Sequence, residues 1–220
     1  IHQVPTNWIG QAKQHLHIAY GHTSHGSQLI TGMDGLIAFM KGLGYPSNLY
    51  AWNEGGTGGA LDLNDYAFSG ASDLGNPDWV SWEAATRNYL ATHTNCNVVI
   101  WSWCGQVSGA TAANINTYLS LMDGLQADYP NVTFVHMTGH LDGTGTNGNL
   151  TIRNNQIRDH CLANDEVLYD FADIESYDPG GWTNFMALRA NDNCDYDSDG
   201  NSTLDSNWAT AWQSTHTENV

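Results

Sequence analysis

Short apolar runs alternate with amphipathic stretches along this whole chain, and that alternation limits the folds open to it. Leu16 to Tyr20, Asn97 to Trp103, Val132 to Met137 and Val167 to Phe171 are apolar on both faces, as strands in a covered parallel sheet are. Between them, Trp82 to Thr92, Ala110 to Tyr129 and Leu150 to Leu162 carry helical spacing, and Ser27 to Gly42 adds a further helix weakened by its glycines. A second strand is expected near Leu49 to Trp52. Strand alternating with helix predicts an α/β domain of the flavodoxin-like kind, a three-layer sandwich with a central parallel sheet and right-handed crossovers. Helix-only and β-sandwich folds do not fit, and neither a repeat nor a proline- or serine-rich linker divides residues 1–220, so one domain is expected.

Charge narrows the partners. Six Lys and Arg against 23 Asp and Glu give a net charge of −17, which repels phosphate backbones and anionic lipid surfaces, so nucleic acid is set aside. No stretch approaches the roughly 20 apolar residues of a spanning helix, so membrane insertion is not expected. The chain begins at Ile1, which reads as a processed mature protein or a trimmed fragment. Few lysines, many Asn, Gly, Thr and Trp, and four cysteines without a Cys-x-x-Cys pair point to an extracellular protein.

In a parallel sheet of this kind the ligand crevice lies beyond the carboxyl ends of the strands. That rule selects Gly21 to Gln28, Asn53 to Gly59, Cys104 to Gly109 and Gly139 to Gly148. The first holds Gly21-His22-Thr23-Ser24-His25-Gly26 directly after an apolar run. A serine at a sharp strand-to-helix turn is exposed to substrate, with the amides of the helix N-terminus behind it for a developing oxyanion. The spacing equally fits Ser24 or Ser27 as a helix cap.

This block resembles the SGNH/GDSL hydrolase superfamily, in a divergent branch whose first block reads Gly-His-x-Ser-x-Gly. The resemblance covers most of the chain through the order of its elements and implies an SGNH-like α/β domain with Ser24 as nucleophile. It further implies an oxyanion-hole glycine in "WNEGGTGGALDL", at Gly56 or Gly58. The family's third block carries Gly-x-Asn, whereas this chain reads Trp103-Cys104-Gly105-Gln106, which makes Gln106 the substitute for asparagine. Its last block carries Asp-x-x-His, and the match here is Gln213-Ser214-Thr215-His216. Glutamine orients an imidazole but does not stabilise imidazolium as a carboxylate does, so a dyad on His216 would be weakened. Alternatively, the catalytic histidine belongs to a stretch beyond Val220.

Other histidines compete for roles. His140, followed closely by Asp142 in "HMTGHLDG", is a candidate base, and so is a loop histidine that only satisfies backbone groups. His22 and His25 flank Ser24 and, with Trp103, are candidates for binding substrate. His22, His25 and His140 lack the tight spacing that marks zinc.

A separate signal lies in residues 192–205, "DNCDYDSDGNSTLD". Asp195, Asp197 and Asp199 alternate and Gly200 follows, the front half of an EF-hand-like calcium loop. Asn201 and Thr203 continue it, while position twelve is Ser206 with Asp205 one residue early. A structural calcium ion is expected here, against the alternative of an acidic solvated loop; no organic cofactor is expected.

Cys96 and Cys104 bracket one strand and would stand roughly 26 Å apart at about 3.3 Å per residue, too far for a disulfide. The pairing expected from the element order is Cys96 with Cys161 and Cys104 with Cys194.

Nine tryptophans and ten tyrosines exceed what a small core demands, and aromatics on a crevice rim suit stacking on sugar rings. The leading expectation is therefore a secreted serine esterase acting on an acylated carbohydrate or similar ester. The alternative is a non-catalytic SGNH-like protein that binds glycans or self-assembles outside the cell.

Overall fold

A computed structural model of the protein describes residues 4–216. The elements are α1 (Thr6–His15), β1 (His17–Gly21), α2 (Ser27–Gly42), β2 (Trp52–Asn53), β3 (Leu61–Asp65), α3 (Ser81–Leu90), β4 (Val98–Trp101), α4 (Gln106–Gly109), α5 (Ala112–Asp128) and β5 (Thr133–Met137). They continue with α6 (Asn149–Asn164), β6 (Leu168–Tyr169), α7 (Phe171–Glu175), β7 (Asp195–Tyr196), β8 (Ser206–Asn207) and α8 (Trp208–Gln213).

Six strands form one parallel sheet in the order β2-β3-β1-β4-β5-β6, and β7 pairs with β8 in a separate antiparallel ribbon. Without the two-residue edge strand β2, the order β3-β1-β4-β5-β6 is the doubly wound flavodoxin-like order, whose winding reverses between β1 and β4. The α/β expectation therefore holds.

The chain divides into two compact units, Ile1–Ser102 with Ser120–Val135, and Trp103–Leu119 with His136–Val220. In the first, β1 buries Ala19 and Tyr20 and β4 buries Val99 and Trp101. The Trp101 ring stacks on Phe68 at 4.3 Å and meets Trp82 edge-on at 6.5 Å, while its indole N–H donates to Thr86 Oγ1 at 2.8 Å. In the second unit Trp103 is 2% exposed, its indole N–H donates to the Met137 carbonyl at 2.8 Å, and its ring meets Tyr118 edge-on at 4.9 Å. Three of the nine tryptophans are thus core residues whose polar tips are satisfied.

One expectation needs correction, that of two disulfides, and two elements were not expected: β3, which follows the glycine-rich loop, and α1, which precedes β1. Pairing of Asn53 with Asp62, and of Asp62 with His17, sets the end of β2 level with the start of β1. The four cysteines are thiols and no disulfide joins any of them. Cys96 Sγ donates to the Val98 carbonyl at 3.4 Å, and burial pushes the Cys161 and Cys194 thiols up to about 11.

Candidate functional site

Ser24 stands three residues past the carboxyl end of β1, beside the point where the sheet's winding reverses. It opens a short 3₁₀ turn, Ser24–Gly26, that runs directly into α2. The residue is exposed and holds φ +36°, a left-handed conformation that a residue with a Cβ adopts at a cost. Neither helical segment takes Ser24 as its cap: the 3₁₀ turn is capped at Thr23 and α2 at Gly26.

The glycines of the block are explained by close approach. A Cβ on Gly21 would lie 2.7 Å from the Phe68 ring and would overlap Trp101. One on Gly26 would overlap Ser102 Oγ and the His22 Cβ. Tyr20 donates its hydroxyl to the Gly26 carbonyl at 2.9 Å, which ties the turn back onto β1.

His22 is 1% exposed, with its ring between Tyr20 at 4.5 Å and Tyr66 at 4.3 Å. Its Nε2 donates to Asp65 Oδ1 at 2.6 Å, and a carboxylate partner there fixes the tautomer. Nδ1 is buried without a hydrogen-bond partner. Thr23 donates its hydroxyl to Asp73, itself 1% exposed. Gly21, His22, Thr23, Tyr66, Phe68 and Trp101, with Ala71 and Ser72, line an open pocket of about 280 Å³. Tyr66 holds φ +53° at the end of β3, a second strained residue with a Cβ in this small region. Asp65, Tyr66 and Asp73 were not singled out from the sequence; the alternation of Leu61 and Leu63 with Asp62 and Asn64 is a strand signal that leads to Asp65 and Tyr66, while Asp73 lies beyond it.

Gly58 does not belong to this region. Its loop follows β2, whose end lies level with His17, so it sits at the amino end of β1, about 13 Å of strand short of Gly21. Gly55 N–H donates to Asp62 Oδ1 at 2.8 Å, and Asp62 Oδ2 lies 2.7 Å from His17 Nδ1 at the same end. His25 is half-buried in the turn with Ser24.

In the second unit, Gln106 opens α4 and its side-chain oxygen accepts the Cys104 N–H at 2.8 Å. His140 is buried and its Nδ1 donates to the Leu141 carbonyl at 2.8 Å; a Cβ on Gly105 would lie 3.8 Å from its Nε2. Trp103, expected to face a ligand, is enclosed in the core instead. His216 is exposed at the end of α8, its ring flat on Trp212 at 3.6 Å and its Nδ1 3.0 Å from the Trp212 carbonyl. Its orientation comes from Trp212 and Thr215.

Glu175, which carries no sequence motif, is the most perturbed carboxyl group here. Burial pushes it up to about 7; the Leu141 N–H, donating to Oε2 at 2.8 Å, opposes this and the charge of Asp192 adds to it. Its other oxygen, Oε1, is buried without a hydrogen-bond partner.

The acidic loop runs between β7 and β8. Asp197, 3% exposed, accepts N–H groups of Gly200 at 2.8 Å, Asn201 at 3.2 Å and Ser202 at 2.8 Å. Desolvation raises its pKa, but these amides outweigh it and hold the carboxyl below its usual range. Asp195 accepts from Asn207 Nδ2, Asp199 from Asn201, and Asp205 from the Ser198 N–H. The donors are all oxygen, which suits a hard cation such as calcium, while the amides already lessen the carboxylates' mutual repulsion.

Among the described residues, no helix is long and apolar enough to cross a membrane. No family model, no curated protein and no solved structure matches this chain.

Proposed function

We propose that the chain is a serine ester hydrolase of the SGNH/GDSL kind, extracellular, with Ser24 as its nucleophile and an acylated carbohydrate as its substrate class. The observation that carries this reading is the backbone of Ser24. A serine with a Cβ is held in a strained, exposed conformation at the strand-to-helix turn beside the winding reversal, and strain of this kind gathers at working sites. In the reaction, Ser24 Oγ would bond to the ester carbonyl carbon as its proton passes to an imidazole, and that proton would leave with the alcohol. Water would then release the acid from Ser24.

Calcium at the loop of Asp195, Asp197, Asp199, Asn201 and Asp205 belongs to the same proposal, as a structural ion.

A fluorophosphonate probe tests the reading. The wild-type chain should be labelled once, at Ser24, and Ser24→Ala should take no label. A folded wild-type chain that stays unlabelled would instead favour a non-catalytic glycan-binding protein.

A further inference from the structure

The turn that carries Ser24 is tied on both sides. After it, Tyr20 donates its hydroxyl to the Gly26 carbonyl at 2.9 Å, and the Gly26 N–H donates back to the Thr23 carbonyl at 2.9 Å. Before it, Thr23 donates its hydroxyl to Asp73, a residue 1% exposed. Thr23 stands at the cap position of the 3₁₀ turn, where a threonine hydroxyl ordinarily accepts an amide of that turn. Its side chain makes no such bond and is turned aside to Asp73 instead.

Asp73 is itself fixed to the sheet. Ser102, directly after β4, donates its N–H to the Gly21 carbonyl at 2.9 Å, and the Leu74 N–H donates to the Ser102 carbonyl at 2.9 Å. The Ser72 N–H donates to the Asn76 carbonyl at 2.9 Å and the Asn76 N–H to the Asp73 carbonyl at 3.3 Å, which closes the turn around Asp73. A ring of hydrogen bonds therefore runs from the end of β1 across the end of β4 to Asp73, and returns to the chain at Thr23. Burying a carboxyl group is costly unless hydrogen bonds receive it. Here the group that Asp73 receives belongs to the residue directly before Ser24.

The two tethers decide where the Ser24 hydroxyl points. Relaxing φ from +36° to an ordinary value near −60° would swing Cβ about the N–Cα bond by roughly 100°. That would carry Oγ well outside the ~0.5 Å within which a reacting group has to be held. We propose that Asp73 is a positioning residue for Ser24: by holding the Thr23 hydroxyl to the frame of the sheet, it keeps Ser24 in its left-handed conformation and aims Oγ. The proposal rests on the hydrolase reading for its catalytic sense, while its effect on the backbone is measurable without turnover.

The test compares Thr23→Val, which keeps the shape of the side chain and loses the hydroxyl, with Thr23→Ser, which keeps the hydroxyl. Fluorophosphonate labelling of the full chain is followed over probe concentration, and the HN–Hα coupling and Cβ chemical shift of Ser24 read its φ by NMR. In Thr23→Val the maximal labelling rate should fall ~100-fold while the half-saturating probe concentration changes less than ~3-fold. Ser24 should move to negative φ in the same variant, and Thr23→Ser should restore both readings. If Thr23→Val does not fold, its combination with Asp73→Asn, which leaves no buried carboxylate without its donor, decides in its place. The proposal is overturned if the folded variant labels within ~3-fold of wild type, if its Ser24 φ stays positive, or if Thr23→Ser behaves as Thr23→Val does. Normal labelling of both wild type and Thr23→Val ends this inference and spares the hydrolase. An unlabelled wild-type chain whose Ser24 φ turns negative in Thr23→Val ends the hydrolase and leaves the hold of Asp73 on the turn standing.

Discussion

Asp65 Oδ1 lies 2.6 Å from His22 Nε2, and this hydrogen bond couples the end of β3 to the turn that carries Ser24. Removing the carboxylate strands a buried imidazole between two tyrosines. Asp65→Ala should lower unfolding free energy by about 1–3 kcal/mol, measured by urea denaturation. An unchanged midpoint would show that the bond contributes nothing to the fold.

Ser24 supplies a test in which stability and function move in opposite directions. Its φ of +36° suits glycine, so Ser24→Gly should gain ~1 kcal/mol while losing the hydroxyl. Ser24→Ala keeps the strain and should gain little. Thermal unfolding of the two variants side by side separates them, and equal melting points would remove the claim of strain.

The close approach at Gly26 makes the turn intolerant of even a methyl group. Gly26→Ala must displace Ser102 or His22, and should cost about 1–3 kcal/mol. Chemical denaturation reads the loss, with Gly32→Ala as control, since a Cβ there meets nothing within 4 Å.

Glu175 makes a pH prediction. Its folded pKa, about 7, lies above the 4.5 of an ordinary glutamate, so the folded state binds the proton more tightly. The stabilisation is complete below the unfolded value and is lost as pH rises through the folded one. At about 1.4 kcal/mol per pH unit, the penalty for ionising Glu175 in the folded chain is on the order of 3 kcal/mol by pH 8. Glu175→Gln keeps an oxygen for the Leu141 N–H and should raise the melting temperature at pH 8 while changing it little at pH 4.5. Parallel melting curves of variant and wild type across pH 4–9 would refute this.

His216 is turned onto Trp212, which argues against its acting as the base. His216→Ala should change the rate of fluorophosphonate labelling by less than about threefold, under roughly 0.7 kcal/mol of barrier. A loss of several hundredfold would restore it to the reaction.

What was legible in the sequence follows from what each signal depends on. β1, β4 and β5 are continuous apolar runs because both of their faces are covered, and α2 begins and ends where its pattern does. β3 reads Leu-Asp-Leu-Asn-Asp, buries Leu63 alone and follows β2 after a short loop, so no continuous apolar run marks it. Missing β3 hid Asp65 and Tyr66 and sent Gly58 to the wrong end of the sheet. Trp103 was misassigned because chain position alone does not reveal that its indole reaches the Met137 carbonyl. Glu175 carries no motif, and what distinguishes it is burial, which only tertiary structure creates.

The shallow register of β2 has a practical consequence. Because Asn53 pairs beside Asp62, the glycine-rich turn that follows emerges at the far end of β1 from Ser24. Gly58 and Gly59 are exposed there, and a Cβ on either meets nothing within 4 Å. A fluorophore or affinity tag inserted between these two residues would leave the Ser24 turn untouched, so the protein can be tethered to a surface with its candidate nucleophile facing the solution.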